Sequence, residues 1–425
     1  MKVCIFEDDK VIDFFPLTMT RAVFELRCGR TLLIDKLLDF LSNPSEVCLS
    51  VRDYLAEVVK MRYPNYHVNE FEYLKGDEVL FVNGRWLYSG EDIKIVEDEV
   101  AVFSNGELVY LRAKPETVSE ILAKGDIGKG VKEVAGKLGQ EEVKEAKLVK
   151  WPWELVFANP EMIKYDFKRL GKKGVHAKVK HLEIVGGDEN DVYIAPTAKI
   201  YPYVVIDVSG GPVIIEDGVK IQPFVFIEGP SAIGRDTYVM GRALIREGVT
   251  AGPVVRLGGE IEESIIHGYT NKYHTGFLGH AYVGEWVNLG AITTNSDLKN
   301  DYSEVEVYIN GKPVKTGSLK VGSIIGDHTK TSIGTLLNTG TIIGVMCNVL
   351  STDLSPKYIP SFTWYYAGRL SKGSGLRRML RTAERAMARR NVKLTDAERR
   401  LFHYLYEMTR EERENYIKRY SKRRV

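Results

Sequence analysis

The chain has 425 residues, 44 % of them apolar and 27 % charged, with a net charge of +2, which is length enough for two or three domains of ordinary globular composition. No apolar run approaches the length that spans a membrane, and the start, Met1-Lys2-Val3-Cys4-Ile5-Phe6-Glu7, reads as a strand rather than a secretory leader. The near-neutral total hides an asymmetry. Residues 368–425 carry 18 Lys or Arg against 7 Asp or Glu, so the remainder is net acidic. A basic end of this kind reads first as a charged helical pair with solvated faces, docked on the acidic body, ahead of a nucleic-acid surface.

Residues 1–186 alternate strand and helix signals. Val3–Phe6 and Val79–Val82 are short apolar runs of the kind buried in parallel sheets, and residues 31–41 and 52–63 read as amphipathic helices. Ser104-Asn105-Gly106-Glu107 marks a hairpin turn, and Asn159-Pro160 reads as the N-cap and first position of a helix. The alternation predicts a doubly wound α/β domain. Cys4, Cys28, Cys48 and Cys347 show no paired spacing and read as reduced, buried thiols of a cytoplasmic protein, and the scarcity of glutamine (Gln140 and Gln222) points to a thermophile. Gly186–Asp191 reads as a polar linker.

From about 192 to 355 the pattern changes. Ile215, Ile221, Ile227, Ile233, Val239 and Ile245 recur at a strict period of six, which neither a helix nor a long strand produces. Three six-residue units close one triangular turn of a β-solenoid, so Ile215 is expected to stack on Ile233 and Ile227 on Ile245. The period appears earlier at Ile194, Ile200 and Ile206, slips near Ser209-Gly210-Gly211, and returns at Phe277, Val283 and Leu289 and again from Ile325 to Val349. Residues 301–320 break it and read as a protruding hairpin. Residues 356–425 turn helical, with capping-box signals at Thr395/Glu398 and Thr409/Glu412.

Asn271–His280 and Glu285–Asp297 interrupt the solenoid with polar and ring residues beyond what its corners require. Acyl transfer from a thioester to an amine needs a base, and His274 is the candidate. It also needs donors for a developing oxyanion, which the Gly290-Ala291 corner offers.

The runs NKYHTGFLGHAYVGEWVNLGA and TTNSDLKNDY, IGDHTKTSIGTLLNTGTIIG at 325–344, and the opening Phe15–Arg21 with Glu25–Gly29 resemble a divergent branch of the bifunctional glucosamine-1-phosphate N-acetyltransferase/N-acetylglucosamine-1-phosphate uridylyltransferase family. The resemblance implies a left-handed coil, a homotrimer and acetyl-CoA as acyl donor. It assigns His274 as base with Asn295 beside it. Asn288, Arg256, Lys272 and Lys299 become contacts to an amino-sugar 1-phosphate, with Arg256 clamping the phosphate, and Ala291 and Thr335 become contacts to acetyl-CoA. Two positions depart from the family pattern: Phe277 stands where a Tyr is usual, and Asp301 where a Lys is usual, with Lys299 close by. The N-terminal domain lacks the Gly-rich phosphate loop of common sugar nucleotidyltransferases. Arg21, Arg27 and Lys36 are the cations expected to bind UTP or another nucleoside triphosphate in its place, and Asp8 and Asn83, with Asn159 as a further candidate, are the expected Mg²⁺ contacts. A zinc site on His267, His274, His280 and His328 is disfavoured, because residues six apart lie on successive prism faces.

The sequence thus predicts a cytoplasmic enzyme that N-acetylates an amino-sugar 1-phosphate and transfers a nucleotidyl group to the product to give UDP-N-acetylglucosamine. The alternative is a single-function acetyltransferase whose first domain binds nucleotide without catalysis.

Overall fold

A computed structural model describes residues 1–351 and 353–421; residues 422–425 of the expected basic tail lie outside the described residues. Contacts divide the chain into two compact units, one holding residues 1–14, 18–26 and 31–151, the other the remainder.

The first unit is a seven-stranded mixed sheet in the order His67–Val68, Val47–Ser50, Lys2–Phe6, Val79–Asn83, Glu107–Ala113, Val100–Ser104, Gln140–Glu142. The first four strands are parallel, as their uninterrupted apolar runs predict, with Phe6 opposite Asn83. The next pair forms the predicted hairpin, with Asn105 and Gly106 both at positive φ. Helices α1 (Leu33–Phe40) and α2 (Ala56–Arg62) fall inside the two predicted helical stretches; a short 3-10 turn precedes α2. Helices α3 (Pro115–Ala123) and α4 (Ile127–Ala135) bury Val118, Ile121, Val131 and Val134 with Phe6, Phe81 and Leu111 of the sheet.

The second unit is a parallel β-helix with three sheet faces. Hexad residues form its inward rows. One row runs Ile194, Ile215, Ile233, Ala251, Ile266, Val283, Ile325, Ile343, Ile359, each in register with the next. A second runs Ile206, Ile227, Ile245, Ile261, Leu278. A third runs Ile200, Ile221, Val239, Leu257 and then Lys272. The predicted stacking of Ile215 on Ile233 and of Ile227 on Ile245 is therefore observed.

Five sequence expectations need correction, the first of them the start of the helical tail, since strands continue from Tyr358 to Ser371 before the helices begin. The inward residue of the polar coil is Leu278, not Phe277, because it stands five residues before Val283, the next inward position, rather than six. The parallel stack begins before residue 192: Gly174–Val175 and Leu182–Val185 already pair with Tyr193–Ile194 and Val204–Asp207, so Gly186–Asp191 is a turn within the first coil rather than a linker. Asn159 and Pro160 do not open a helix but lie inside α5 (Pro152–Leu170), whose Ile163 and Phe167 pack on Tyr193 and Ile214. Thr409 forms no capping box. Its hydroxyl donates to the Leu405 carbonyl (2.8 Å) and accepts from Arg413 (2.9 Å), while Glu412 takes the Tyr358 hydroxyl (2.7 Å). The Thr395/Glu398 box does form.

The hairpin within residues 301–320 is present, Glu306–Ile309 against Lys312–Lys315, turning at Asn310-Gly311. The stack continues past residue 355 to Arg369–Ser371, followed by α6 (Leu376–Ala388), α7 (Asp396–Met408) and α8 (Arg410–Ser421). All four cysteines are buried thiols. No helix among the described residues is long and apolar enough to cross a membrane.

Candidate functional site

The polar coil of the β-helix builds the first candidate site. Its first inward position is taken by a lysine. Lys272 is 1 % exposed, and its ammonium donates to the carbonyls of Gly258 (2.9 Å) and His274 (2.7 Å). Burial lowers its pKa to about 8. The ammonium thus holds the backbone of the base candidate and does not face the cavity predicted for a substrate. Gly276 then lets the chain pass close to the next coil, since a Cβ there would meet the Thr293 carbonyl at 2.1 Å. The His274 side chain is exposed, its ring edge-on to Tyr273 at 5.4 Å.

A cavity of about 480 Å³ opens beside it, lined by His274, Tyr273, Asn271, Arg256, Asn288, Leu289, Gly290, Ala291 and Ile333, with Arg389 and Arg390 from the turn after α6. Four predicted residues, His274, Arg256, Asn288 and Ala291, therefore come together. Arg256 lies over the Tyr238 ring at 5.7 Å. Arg390 donates to Asn271 Oδ1 (2.9 Å), and Asn271 Nδ2 donates to Asn288 Oδ1 (3.1 Å). A second cavity of about 220 Å³ shares Asn271, Asn288, Arg389 and Arg390 and adds Tyr269, Trp286 and Lys330. Its aromatic wall stacks Tyr269 on Trp286 (4.3 Å), and the His328 ring meets Phe402 of α7 edge-on at 5.3 Å.

Besides Lys272, three predicted residues of the acetyl-transfer site are placed elsewhere. Asn295 is 4 % exposed and pairs through both side-chain atoms with Gly279, at 2.9 Å each, so it ties adjacent coils. Thr335 is fully buried and donates to the Ser332 carbonyl (2.9 Å). Lys299 bonds Ser303 in the exposed insertion. The Gly290 N–H is already taken by Thr331 Oγ1 (2.9 Å), which leaves Ala291 as the backbone donor of that corner.

The His cluster holds no metal geometry. His280 lies between Asp297 (2.8 Å) and Glu263 (3.2 Å); burial disfavours its charge, but these two acceptors outweigh burial and lift its pKa to about 9. No group of three or more metal-ligating side chains occurs among the described residues.

The first unit has its own cavity, about 230 Å³, at the carboxyl end of Lys2–Phe6 and Val79–Asn83, where open α/β sheets collect ligands. Asp8, Asp9, Lys10, Asn83, Arg85, Glu107, Gly128 and Lys132 line it. Asp8 and Asn83 do come together, but around the buried guanidinium of Arg85. That group donates to both Asp8 oxygens (2.9 and 2.7 Å), to Glu107 (2.5 Å) and to the Val149 carbonyl (2.7 Å). Burial raises the Asp8 pKa, yet the bonds and charge of Arg85 outweigh it and hold the carboxyl below its ordinary value. Asn83 Oδ1 accepts from the Arg85 N–H (3.0 Å). With these acceptors spent on protein donors, Asp8 and Asn83 do not fit a protein-held Mg²⁺.

The expected nucleotide cations are also committed elsewhere. Arg21 is 1 % exposed and Lys36 is fully buried, its ammonium on Thr31 Oγ1 (2.6 Å). Arg27 belongs to the second unit, where its N–H meets the Tyr282 hydroxyl (2.7 Å) and its Nε the His267 carbonyl (3.3 Å). Asn159, the other metal candidate, bonds the Gly29 N–H (2.7 Å) and the Gly248 carbonyl (2.8 Å) inside the second unit. Sequence reasoning missed Arg85, although a cation two residues after a central strand was a readable signal. It also missed Arg389 and Arg390, which had none beyond the basic run.

Residues 3–174 match the family described as sugar nucleotidyl transferase. A bifunctional sugar-1-phosphate nucleotidylyltransferase/acetyltransferase of Sulfurisphaera tokodaii is 31 % identical over 149 residues, 32 % of this chain and 37 % of that protein. A protein named bifunctional protein GlmU from Methanococcus maripaludis is 37 % identical over 94 residues, 21 % of this chain and 23 % of the relative. The matched stretches thus span well under half of these curated relatives. A solved Arabidopsis UDP-N-acetylglucosamine acyltransferase overlaps 58 % of this chain and 93 % of its own at 13 % identity, with a TM-score of 0.20, too low to carry an argument.

Proposed function

We propose that the β-helix unit transfers an acetyl group from acetyl-CoA to the amine of a sugar 1-phosphate, glucosamine 1-phosphate fitting best. The first unit then transfers a nucleotidyl group from UTP or another nucleoside triphosphate to the product, giving UDP-N-acetylglucosamine. The observation that carries this reading is the convergence of His274, Arg256, Asn288 and Ala291 on one cavity of about 480 Å³. In the step proposed, the substrate amine attacks the thioester carbonyl, the C–N bond forms and the C–S bond breaks. His274 takes the amine proton and returns it to the departing thiolate. The Ala291 N–H faces the developing oxyanion, Asn288 orients the sugar and Arg256 holds its phosphate. A left-handed coil, a homotrimer and a cytoplasmic setting belong to the same proposal and rest on the family resemblance.

A second reading is favoured by one specific observation. The polar wall of the first-unit cavity is spent on the Arg85–Asp8–Glu107 ion cluster, and Arg21, Arg27 and Lys36 are buried or bonded within the scaffold. In that reading the first unit binds a nucleotide or nucleotide sugar without turning it over. One assay separates the two: acetyl-CoA and UTP offered with several sugar 1-phosphates, products read by mass. Acetylated sugar phosphate and nucleotide sugar are expected together. Acetylation without nucleotidyl transfer selects the second reading, and no acetylated product from any amino-sugar phosphate sinks both.

A further inference from the structure

The tail helices are more than a charged appendage. Arg389 closes the last turn of α6 and Arg390 follows it, and both line the same cavity as Arg256 and His274. Three guanidinium groups therefore face one space, and among the described residues no carboxylate lines it. Like charges gathered without a counter-charge are costly, and burial followed by the charges of Arg256 and Arg389 depresses the pKa of Arg390. Its Nε is buried and has no hydrogen-bond partner among the described residues, while its Nη2 is spent on Asn271. Two buried guanidinium groups of the first unit are matched by contrast: Arg85 has Asp8 and Glu107, and Arg52 has Glu7.

Arg390 also sets the polarity of the polar chain beside it. A guanidinium can only donate. Asn271 must therefore turn its oxygen to Arg390 and its amide N–H to the oxygen of Asn288. Asn288 is left with its NH₂ as the polar end for a ligand, so the tail fixes a donor, not an acceptor, at this wall. Donors turned to the ligand and positive charge without negative describe a site for a compact, highly charged anion.

We propose that Arg389 and Arg390 of the tail, with Arg256 of the β-helix, form a phosphomonoester-binding site that completes the acetyl-transfer cavity in cis. This rests on the acetyltransferase reading for its purpose but not for its chemistry. The phosphate is that of the sugar 1-phosphate or the 3′-phosphate of coenzyme A.

The test uses the full chain and inorganic phosphate as probe, followed by calorimetry or ³¹P line broadening. Arg389→Gln/Arg390→Gln should weaken phosphate binding tenfold or more. Arg377→Gln/Arg381→Gln, which removes equal charge from exposed positions of α6 outside the cavity, should leave it unchanged. If the double variant does not fold, Arg389→Gln alone, at an exposed side chain, and Arg390→Lys carry the test. Equal loss in both double variants, or no loss in either, overturns the proposal. Kinetics then identify the source. A raised KM for the sugar phosphate but not for the phosphate-free amino sugar assigns the sugar. A raised KM for acetyl-CoA but not for its 3′-dephospho analogue assigns the coenzyme. Phosphate binding by a parent that acetylates nothing, lost in Arg389→Gln/Arg390→Gln, would leave this site standing and remove the function proposed above. An active parent whose variants keep both KM values would do the reverse.

Discussion

The two cavities are electrically opposite. In the first unit Asp8 and Glu107 meet Arg85, and Asp9 meets Lys132, so each acid on the wall has a counter-charge within the protein. In the β-helix unit Arg256, Arg389 and Arg390 surround His274 with no acid on the wall among the described residues. The first is a satisfied network, stable as it stands. The second is completed only by something anionic. Depletion of counter-charge, more than the count of charges, marks the better candidate for a ligand site.

The comparison can be broken from either side. The largest effect is expected at Arg85. Arg85→Met strips the half-buried Asp8 of its cation, leaves Glu107 only Lys150, and should destabilise the first unit by about 4 kcal/mol, as for a broken buried ion pair; a change under about 1 kcal/mol in urea unfolding would show that the network is not what holds the cavity. Next is His274. His274→Ala should lower acetyl transfer about a hundredfold and leave nucleotidyl transfer unchanged, and equal rates would remove it from the chemistry.

A smaller effect concerns His280. Its pKa, raised to about 9, means that the folded chain holds this proton more tightly than the unfolded chain does. His280→Asn should therefore cost about 2 kcal/mol just below pH 6.5, in line with hydrogen bonds to a charged group. The gap should close as pH rises through about 9, where His280 loses its charge. A gap that widens with pH would refute the ion-pair assignment.

The smallest effect is at Lys272. Lys272→Met should reduce kcat about tenfold with KM nearly unchanged, because the ammonium acts through the His274 backbone rather than on substrate. Since burial lowers this pKa to about 8, the parent should gain stability relative to the variant from pH 8 upward. A change in KM alone would return Lys272 to the substrate contacts.

How much of this was legible in the sequence follows from the range over which each signal acts. The period of six places Ile215 on Ile233 because each coil repeats the same local geometry. It misplaces Phe277 because the coils here are shortened to 15–17 residues and the spacing from Leu278 to Val283 is five, which nothing local announces. Asn159 before Pro160 has the composition of a helix start, but α5 had already begun at Pro152, and tertiary bonds to Gly29 and Gly248 give that Asn its role. Motif and resemblance pointed to His274, Asn288, Ala291 and Arg256, which line one cavity. Lys272 was misread because its inward position in the row after Leu257 shows only once the coils are in register. Arg389 and Arg390 stand more than a hundred residues from the motif they join, so only the docked tail reveals them.

The docking of α8 has a consequence for solubility. A parallel stack of coils ends, by construction, in a strand whose outer backbone groups could template another chain. Here Tyr416, Ile417 and Tyr420 pack against the β-helix core, and Tyr358, in the last strand of the longest sheet, bonds Glu412 of α8. The tail therefore doubles as a terminal cap. A chain ending at residue 409 should form higher-order aggregates on size-exclusion chromatography while its coils remain folded.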